Sequence, residues 1–157
     1  MPEAPSPASL STPDLTADRQ SWLAILARAD AATIAARLDG PLPEFARLRG
    51  PETGLVMIRG RQGGDGAAFN LGETTVTRCS VRLAEGGVGH AWRLGRDARA
   101  AELSAVLDAA LQDPARRPAL MRAVIAPLAA AQAEAVAQQA RRAAATRVKF
   151  FTMAAMR

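Results

Sequence analysis

The sequence holds very few of the side chains that enzymes use for chemistry. Among 157 residues there is one cysteine, Cys79, one histidine, His90, and no tyrosine. A lone cysteine excludes an intramolecular disulfide and is compatible with a reducing compartment. One Cys and one His cannot complete a tetrahedral metal site without carboxylates, and no HxxxH, CxxC or HExxH spacing occurs. We therefore predict that this chain holds no metal and no cofactor.

Cysteine–histidine catalysis would need these two residues to meet. On a strand predicted at residues 74–83, alternation places Cys79 on the apolar face, and His90 shares a face with Trp92 on the next strand. The two side chains could meet if the strands are neighbours. A buried structural cysteine beside a core histidine is the favoured interpretation, so we predict no catalytic residues.

Nucleotide and nucleic-acid signatures are missing as well. The single lysine, Lys149, is far from any glycine-rich loop, and neither GDGAAF nor GVGHAW completes a dinucleotide-binding turn. With 4% aromatic residues the chain lacks platforms for stacking bases. We therefore do not expect a nucleic-acid partner.

Long apolar runs are also absent. No stretch approaches the roughly 20 uninterrupted apolar residues of a membrane helix, and MPEAPSPASLSTPD at the N-terminus lacks the regions of a signal peptide. We expect a cytoplasmic protein with no membrane partner. Residues 1–17, rich in Pro, Ser and Ala, are predicted to be a disordered tail, and residues 18–157 a single domain.

Arginine, in contrast, is abundant. Residues 19–157 contain 20 basic and 12 acidic residues, which gives 20 minus 12, or +8. A guanidinium can bind phosphate or carboxylate through two parallel hydrogen bonds, although for any single arginine a solvated surface remains the favoured interpretation.

The apolar pattern predicts an α+β fold. Two short N-terminal helices begin at Asp18 and Asp30, and strands follow at 45–49, 55–61, 74–83 and 88–94. Asp97 then caps a helix whose apolar stripe should cover one face of the sheet. The stripe comprises Leu103, Val106, Leu107, Ala110 and Leu111. Pro118 and Pro127 interrupt the next segment, and residues 128–147 form a long Ala-rich helix. We predict an antiparallel sheet of about four strands covered by helices.

A glycine-rich loop at residues 63–66 lies between two arginine-bearing strands. Its glycines allow positive φ and close approach of a partner, so the region suits an anion or an acidic protein surface. The candidates are Arg59, Arg61, Gly63, Gly64, Asp65, Gly66, Arg78, Arg82 and Arg96. A loop of this composition is more often simply a turn.

The C-terminal segment 148–157 reads VKFFTMAAMR and has no obvious internal partner. Phe150, Phe151 and Met153 are candidates for a partner interface, and docking onto the chain's own sheet is an equal alternative.

Six short motifs occur in order: ETGLV (52–56), GGDG (63–66), FNLGE (69–73), TRC (77–79), GRD (95–97) and VKFFTM (148–153). In this order and spacing, over about residues 19–153, the chain resembles the PhnG family of the bacterial carbon-phosphorus lyase core complex.

The resemblance implies a complex with PhnI, PhnH and PhnJ, two copies of each, with PhnL associated. It implies a transferase reaction in which an alkylphosphonate displaces adenine from ATP and forms ribose 1-alkylphosphonate 5-triphosphate. The chemistry would rest chiefly on PhnI, and this chain would be inactive alone. The residues themselves also leave open a free-standing anion-binding module.

Overall fold

The structure, a computed structural model, describes residues 12–61 and 66–148. Two helices precede a sheet of three antiparallel strands, and further helices follow, so the predicted α+β class is confirmed. The elements are α1 (Thr12–Leu26), α2 (Ala31–Ala35), β1 (Phe45–Gly60), β2 (Phe69–Leu83), β3 (Val88–Leu94), α3 (Ala98–Leu111), α4 (Arg117–Leu120), a π-helical turn (Met121–Ile125) and α5 (Ala126–Ala145).

Two of the four predicted strands are one strand in the structure. The glycine-containing residues 50–54 were predicted to connect these strands, but β1 continues through them and stays paired with β2 on both sides. The register shifts between Arg47 and Arg49 and again between Arg49 and Glu52. Each shift adds one residue to β1 relative to β2, which is how a bulge absorbs residues that fit the ladder poorly.

The N-terminal helix is longer than predicted. It begins at Thr12 rather than at Asp18, so residues 12–17 are helical instead of belonging to a disordered tail. Pro13 is compatible with this start, because the first N–H groups of a helix have no intrahelical acceptor. The predicted cap of the second helix is confirmed, since the Asp30 carboxylate accepts from Thr33 N at 2.7 Å. That helix ends at Ala35.

Helix α3 is the centre of the fold and is buried on all sides from Ala100 to Leu111. Its predicted cap is confirmed, because Asp97 accepts from Ala100 N at 2.9 Å. The predicted stripe is buried, but its Leu103, Leu107 and Leu111 pack against the other helices rather than against the sheet.

The sheet packs against the small residues of α3. Ala101, Ala105 and Ala109 share a core with Cys79 and Val81 of β2. On β3, a Cβ atom added at Gly89 would lie 1.9 Å from the Ala105 carbonyl oxygen. The backbones of β3 and α3 are therefore in close approach, which only small side chains permit.

The two prolines predicted to interrupt the C-terminal region lie within one helix. α4, the π-helical turn and α5 run continuously over Arg117–Ala145. Pro127 has no N–H to donate, and a π-helical turn immediately precedes it, which accommodates the missing bond. Val124, Ile125 and Leu128 anchor this helix on the core.

By length and composition the helix Arg117–Ala145 could cross a membrane, unlike the sequence expectation. Its apolar character comes mainly from alanine, and a single helix of this kind is weak evidence for a membrane span. We interpret it as a helix that packs on the core at one end.

A buried carboxylate links three elements. Asp108 of α3 is fully buried and accepts from Arg19 of α1 through Nε at 3.1 Å and Nη2 at 2.7 Å. It also accepts from Trp22 Nε1 and from the backbone N–H of His90, each at 2.9 Å. Asp108 therefore fixes α1 and the edge of β3 onto α3.

Asp108→Asn should destabilise the protein by about 2–4 kcal/mol, because the amide cannot accept all four bonds and leaves the Arg19 charge poorly paired. Urea unfolding followed by circular dichroism measures this loss. Glu134→Gln, which removes an exposed ion pair with Arg141, is the matched control and should change stability by less than about 0.5 kcal/mol. Equal stability of Asp108→Asn and the parent would contradict the linking role.

Glu102 gives the fold an acid-sensitive contact. Hydrogen bonding to Arg47 of β1 lowers the pKa of this carboxyl, and Arg99 adds to the effect against the cost of burial. In the unfolded protein the pKa of a glutamate is about 4.3, and a lower pKa in the folded protein means that ionised Glu102 stabilises the fold at pH values above about 4.3. This contribution is lost as the pH falls through the folded-state pKa. Glu102→Gln should thus be less stable than the parent at pH 7, with the difference narrowing toward pH 3. If urea titrations gave the same stability difference between Glu102→Gln and the parent at pH 7 and at pH 3, the stabilising role of ionised Glu102 would be contradicted.

Candidate functional site

The outer face of the sheet, opposite α3, carries a small charged cluster. Arg78 and Glu52 are strand partners, with Arg78 Nη2 3.1 Å from Glu52 Oε2. Arg49 Nη1 reaches the same oxygen at 3.2 Å. The Arg78 guanidinium carbon lies 5.5 Å from the ring centroid of Trp92 on β3. Arg78 is thus positioned by an acid and an aromatic ring of its own chain, and the cluster keeps an excess of one positive charge.

The predicted arginines do not form one group. Arg59 pairs with Asn70 on β2, eight residues before Arg78, so the two arginines are separated by about 26 Å at ~3.3 Å per residue. Arg61 lies with Arg59 at the end of the hairpin, where its Nη1 donates to Gly66 O at 3.3 Å. Gly63, Gly64 and Asp65 lie outside the described residues.

The remaining predicted positions are dispersed. Arg82 is exposed near the other end of β2, and Arg96 is exposed in the connection between β3 and α3. Phe150, Phe151 and Met153, predicted to contact a partner, lie outside the described residues.

The far part of the β1–β2 pair extends beyond α3. We call it the distal hairpin, residues 55–60 and 69–75. None of its residues is buried, although strands this rich in apolar residues normally belong to a core. Its large apolar side chains are exposed by 43–65%: Leu55, Met57, Ile58, Phe69 and Leu71. On the outer face of the sheet, Trp92 and Leu94 of β3 are also exposed, by 57% and 69%.

Apolar side chains are thus exposed on both faces of this part of the sheet. Leu55 and Met57 alternate with Thr53, which contacts Thr77 on the α3 side, whereas Trp92 and Leu94 lie with Arg78 on the outer face. A monomer seldom exposes neighbouring large apolar side chains together, and such patches usually mark a binding site. β1 is moreover an edge strand of 16 residues, and no other strand of the described residues pairs with its outer side. Residues 55–61 were predicted to belong to the sheet, but their exposure was missed, because strand patterns do not reveal how far the covering helix reaches.

The reactive side chains lie on opposite faces of the sheet. Cys79 is buried against α3, as predicted, and burial raises the pKa of its thiol. His90 is exposed on the outer face rather than in the core, and its Nδ1 lies 2.8 Å from Ser80 Oγ. Cysteine–histidine catalysis is therefore excluded by geometry.

The Ser80–His90 pair was not found from the sequence, although both residues alternate onto that face. Nucleophilic catalysis by such a pair normally requires a third group that orients the base. Among the described residues no carboxylate binds the His90 ring, and none of their His, Cys, Asp or Glu side chains group into a possible metal site. Among residues 12–61 and 66–148, Ser80 and His90 are therefore a hydrogen-bonded pair without a third orienting group.

Comparisons with known proteins agree with the resemblance in the sequence. A family profile described as "Phosphonate metabolism protein PhnG" matches residues 17–155. The chain is 46% identical over 139 residues to a Rhizobium meliloti (strain 1021) protein, the "Alpha-D-ribose 1-methylphosphonate 5-triphosphate synthase subunit PhnG". The alignment covers 87% of this chain and 88% of that relative. The chain therefore belongs to the PhnG family of phosphonate metabolism proteins.

Proposed function

We propose that the chain is a subunit of an α-D-ribose 1-methylphosphonate 5-triphosphate synthase, within the carbon-phosphorus lyase complex. The single observation that carries this proposal is the 46% identity to a protein of that name over nearly the full length of both chains. In the proposed complex an alkylphosphonate oxygen attacks the anomeric carbon of ATP, and adenine leaves.

The subunit contributes structure rather than catalytic groups. Adenine departure through an oxocarbenium-like centre calls for a positioned acid and for donors around developing charge. The described residues supply a buried thiol with a raised pKa and a Ser–His pair without a carboxylate. Catalysis therefore belongs to a partner, for which we propose the PhnI-type subunit, with PhnH, PhnJ and PhnL types associated.

The distal hairpin is the proposed contact with the PhnI-type subunit. Its exposed apolar residues, the free edge of β1 and the neighbouring Arg78 together offer apolar area, backbone pairing and positive charge. An acidic, partly apolar partner surface would complement all three.

A free-standing anion-binding module is not favoured as the function. Arg59 and Arg61 are far from Arg78, which already pairs with Glu52. The arginines therefore do not converge on one polyanion.

Introducing charge into the distal hairpin should prevent assembly. Leu55 and Met57 lie on one side of β1 and are 65% and 52% exposed, so Leu55→Glu/Met57→Glu should leave the isolated fold intact. Burying the carboxylates in an interface should reduce the PhnI-type subunit recovered with the coexpressed chain by more than about tenfold.

The matched control is Val136→Glu, since Val136 is 68% exposed on α5. Native mass spectrometry of the copurified material, with circular dichroism of each variant, separates lost assembly from lost folding. Normal assembly of the hairpin variant would contradict the proposed contact, and so would an equal loss of assembly in the α5 variant.

The role of Arg78 can be separated from its contact with Glu52. Arg78→Glu alone places two carboxylates on paired strand positions and should weaken assembly for either reason. Glu52→Arg/Arg78→Glu restores the internal pair with reversed polarity. If Arg78 meets an acid of the partner, the double variant should also assemble poorly in the same copurification measurement. Full recovery of assembly in the double variant would show that only the internal pair matters.

A further inference from the structure

Large apolar side chains project from the α3 side of the distal hairpin. Leu55 and Met57 lie on this side of the sheet because they alternate with Thr53, whose Oγ1 is 3.1 Å from Thr77 Oγ1. Thr77 in turn alternates with Cys79, which packs against α3. Since the hairpin projects past α3, the side chains of Leu55 and Met57 remain more than half exposed.

The outer face of the distal hairpin is apolar as well. Ile58 alternates with Glu52 of the charged cluster on the outer face, so its side chain lies on that face. A Cβ atom added at Gly60 would clash with the Leu71 side chain, which places Leu71 on the face that Ile58 and Gly60 share. Ile58 and Leu71 are 43% and 61% exposed. The adjacent residues Met57 and Ile58 are therefore exposed on opposite faces.

A partner that covers one face cannot remove both apolar groups from water. If only the outer face were covered, Leu55 and Met57 would stay in water in the complex, and the reverse holds for Ile58 and Leu71. A two-stranded ribbon without a covered face has little stability of its own, and neighbouring exposed apolar side chains usually mark an interface. No other described strand pairs with the outer side of β1, so a partner can pass round this edge and reach both faces.

The two faces differ in charge. On the α3 side, Glu73 is the strand partner of Met57 and Arg59 follows two residues later, so this face of the hairpin has no excess charge. The outer face leads directly to the charged cluster, which keeps an excess of one positive charge. A partner that complements both faces therefore has one apolar surface and one surface that combines apolar with acidic side chains.

We propose that the distal hairpin inserts into a cleft of the PhnI-type subunit. One wall of the cleft is apolar and covers Leu55 and Met57. The other wall combines apolar and acidic side chains and covers Ile58, Leu71 and the charged cluster. The inference rests on the proposed function, which assigns the hairpin to this partner but does not say how many of its faces are buried.

Cysteine labelling at adjacent positions tests whether both faces are covered. Met57→Cys and Ile58→Cys place a thiol on opposite faces, while the native Cys79 is buried. Each variant is treated with a maleimide, alone and copurified with the coexpressed PhnI-type subunit, and labelling is followed by mass spectrometry of the peptides. Both positions should label rapidly in the isolated chain and at least about tenfold more slowly in the complex, because the core of an interface excludes solvent.

Val136→Cys is the matched control, since Val136 is exposed on α5. Its labelling rate should change by less than about twofold, because a residue outside the interface stays accessible. Protection of only one of the two hairpin positions would overturn the cleft and would leave the proposed contact standing. Slow labelling of either position in the isolated chain would also overturn the cleft, because the chain itself would then cover that face. If the PhnI-type subunit does not copurify with the parent chain, the proposed function fails and the cleft fails with it.

Introducing charge on the outer face provides a second measurement. Ile58→Glu/Leu71→Glu adds as many carboxylates as Leu55→Glu/Met57→Glu, but on the opposite face. Each pair should reduce the recovered PhnI-type subunit by more than about tenfold, because a carboxylate buried without a partner is costly. Circular dichroism checks that each variant is folded. Undiminished recovery with folded Ile58→Glu/Leu71→Glu would overturn the two-sided contact.

Discussion

The buried carboxylate of Asp108 is the contact on which the arrangement of layers depends. α3 lies between the sheet and the other helices and is buried on every side, so it cannot reach solvent to satisfy a charge. Arg19 of α1 supplies Asp108 with a positive charge, and Trp22 of the same helix donates its indole N–H. His90 of β3 donates its backbone N–H. Removing any one of these donors would leave the buried Asp108 carboxylate incompletely paired, which is costly. Asp108 therefore holds both α1 and the edge strand β3 in position on α3.

The sheet extends beyond the helix that covers it, and this has a direct consequence for function. α3 has 14 residues and β1 has 16, and because a helix rises about 1.5 Å per residue and a strand about 3.3 Å, α3 covers only part of the length of the sheet. The distal hairpin projects past it with Leu55 and Leu71 exposed. An exposed apolar strand pair that continues from a packed core is well suited to binding a permanent partner, and it is unfavourable in a monomer. This distribution of apolar surface supports the proposal that the chain works as a subunit of a larger complex.

Helix caps and the faces of strand residues could be predicted from the sequence, whereas contacts between residues distant in the sequence could not. Asp30 and Asp97 were identified as helix caps because a cap acts within three residues, and strand alternation placed Cys79 in the core. The role of Asp108 was not predicted, because Arg19 is 89 positions away. The bulged β1 was divided into two strands because the glycine-containing residues 50–54 have the composition of a turn. For the site, alternation grouped His90 with Trp92, but it could not tell which face α3 covers or that Arg59 and Arg78 lie far apart.

Adenine release is the most direct measure of whether this chain is a scaffold or an enzyme. The purified chain, its coexpressed complex with the PhnI-type and other subunits, and the same complex without this chain would each receive ATP and methylphosphonate, with free adenine measured by chromatography. A scaffold subunit should release no adenine alone, while the full complex should release adenine and the depleted complex should lose that activity. Turnover by the isolated chain would contradict the account, and so would full activity of the complex without it.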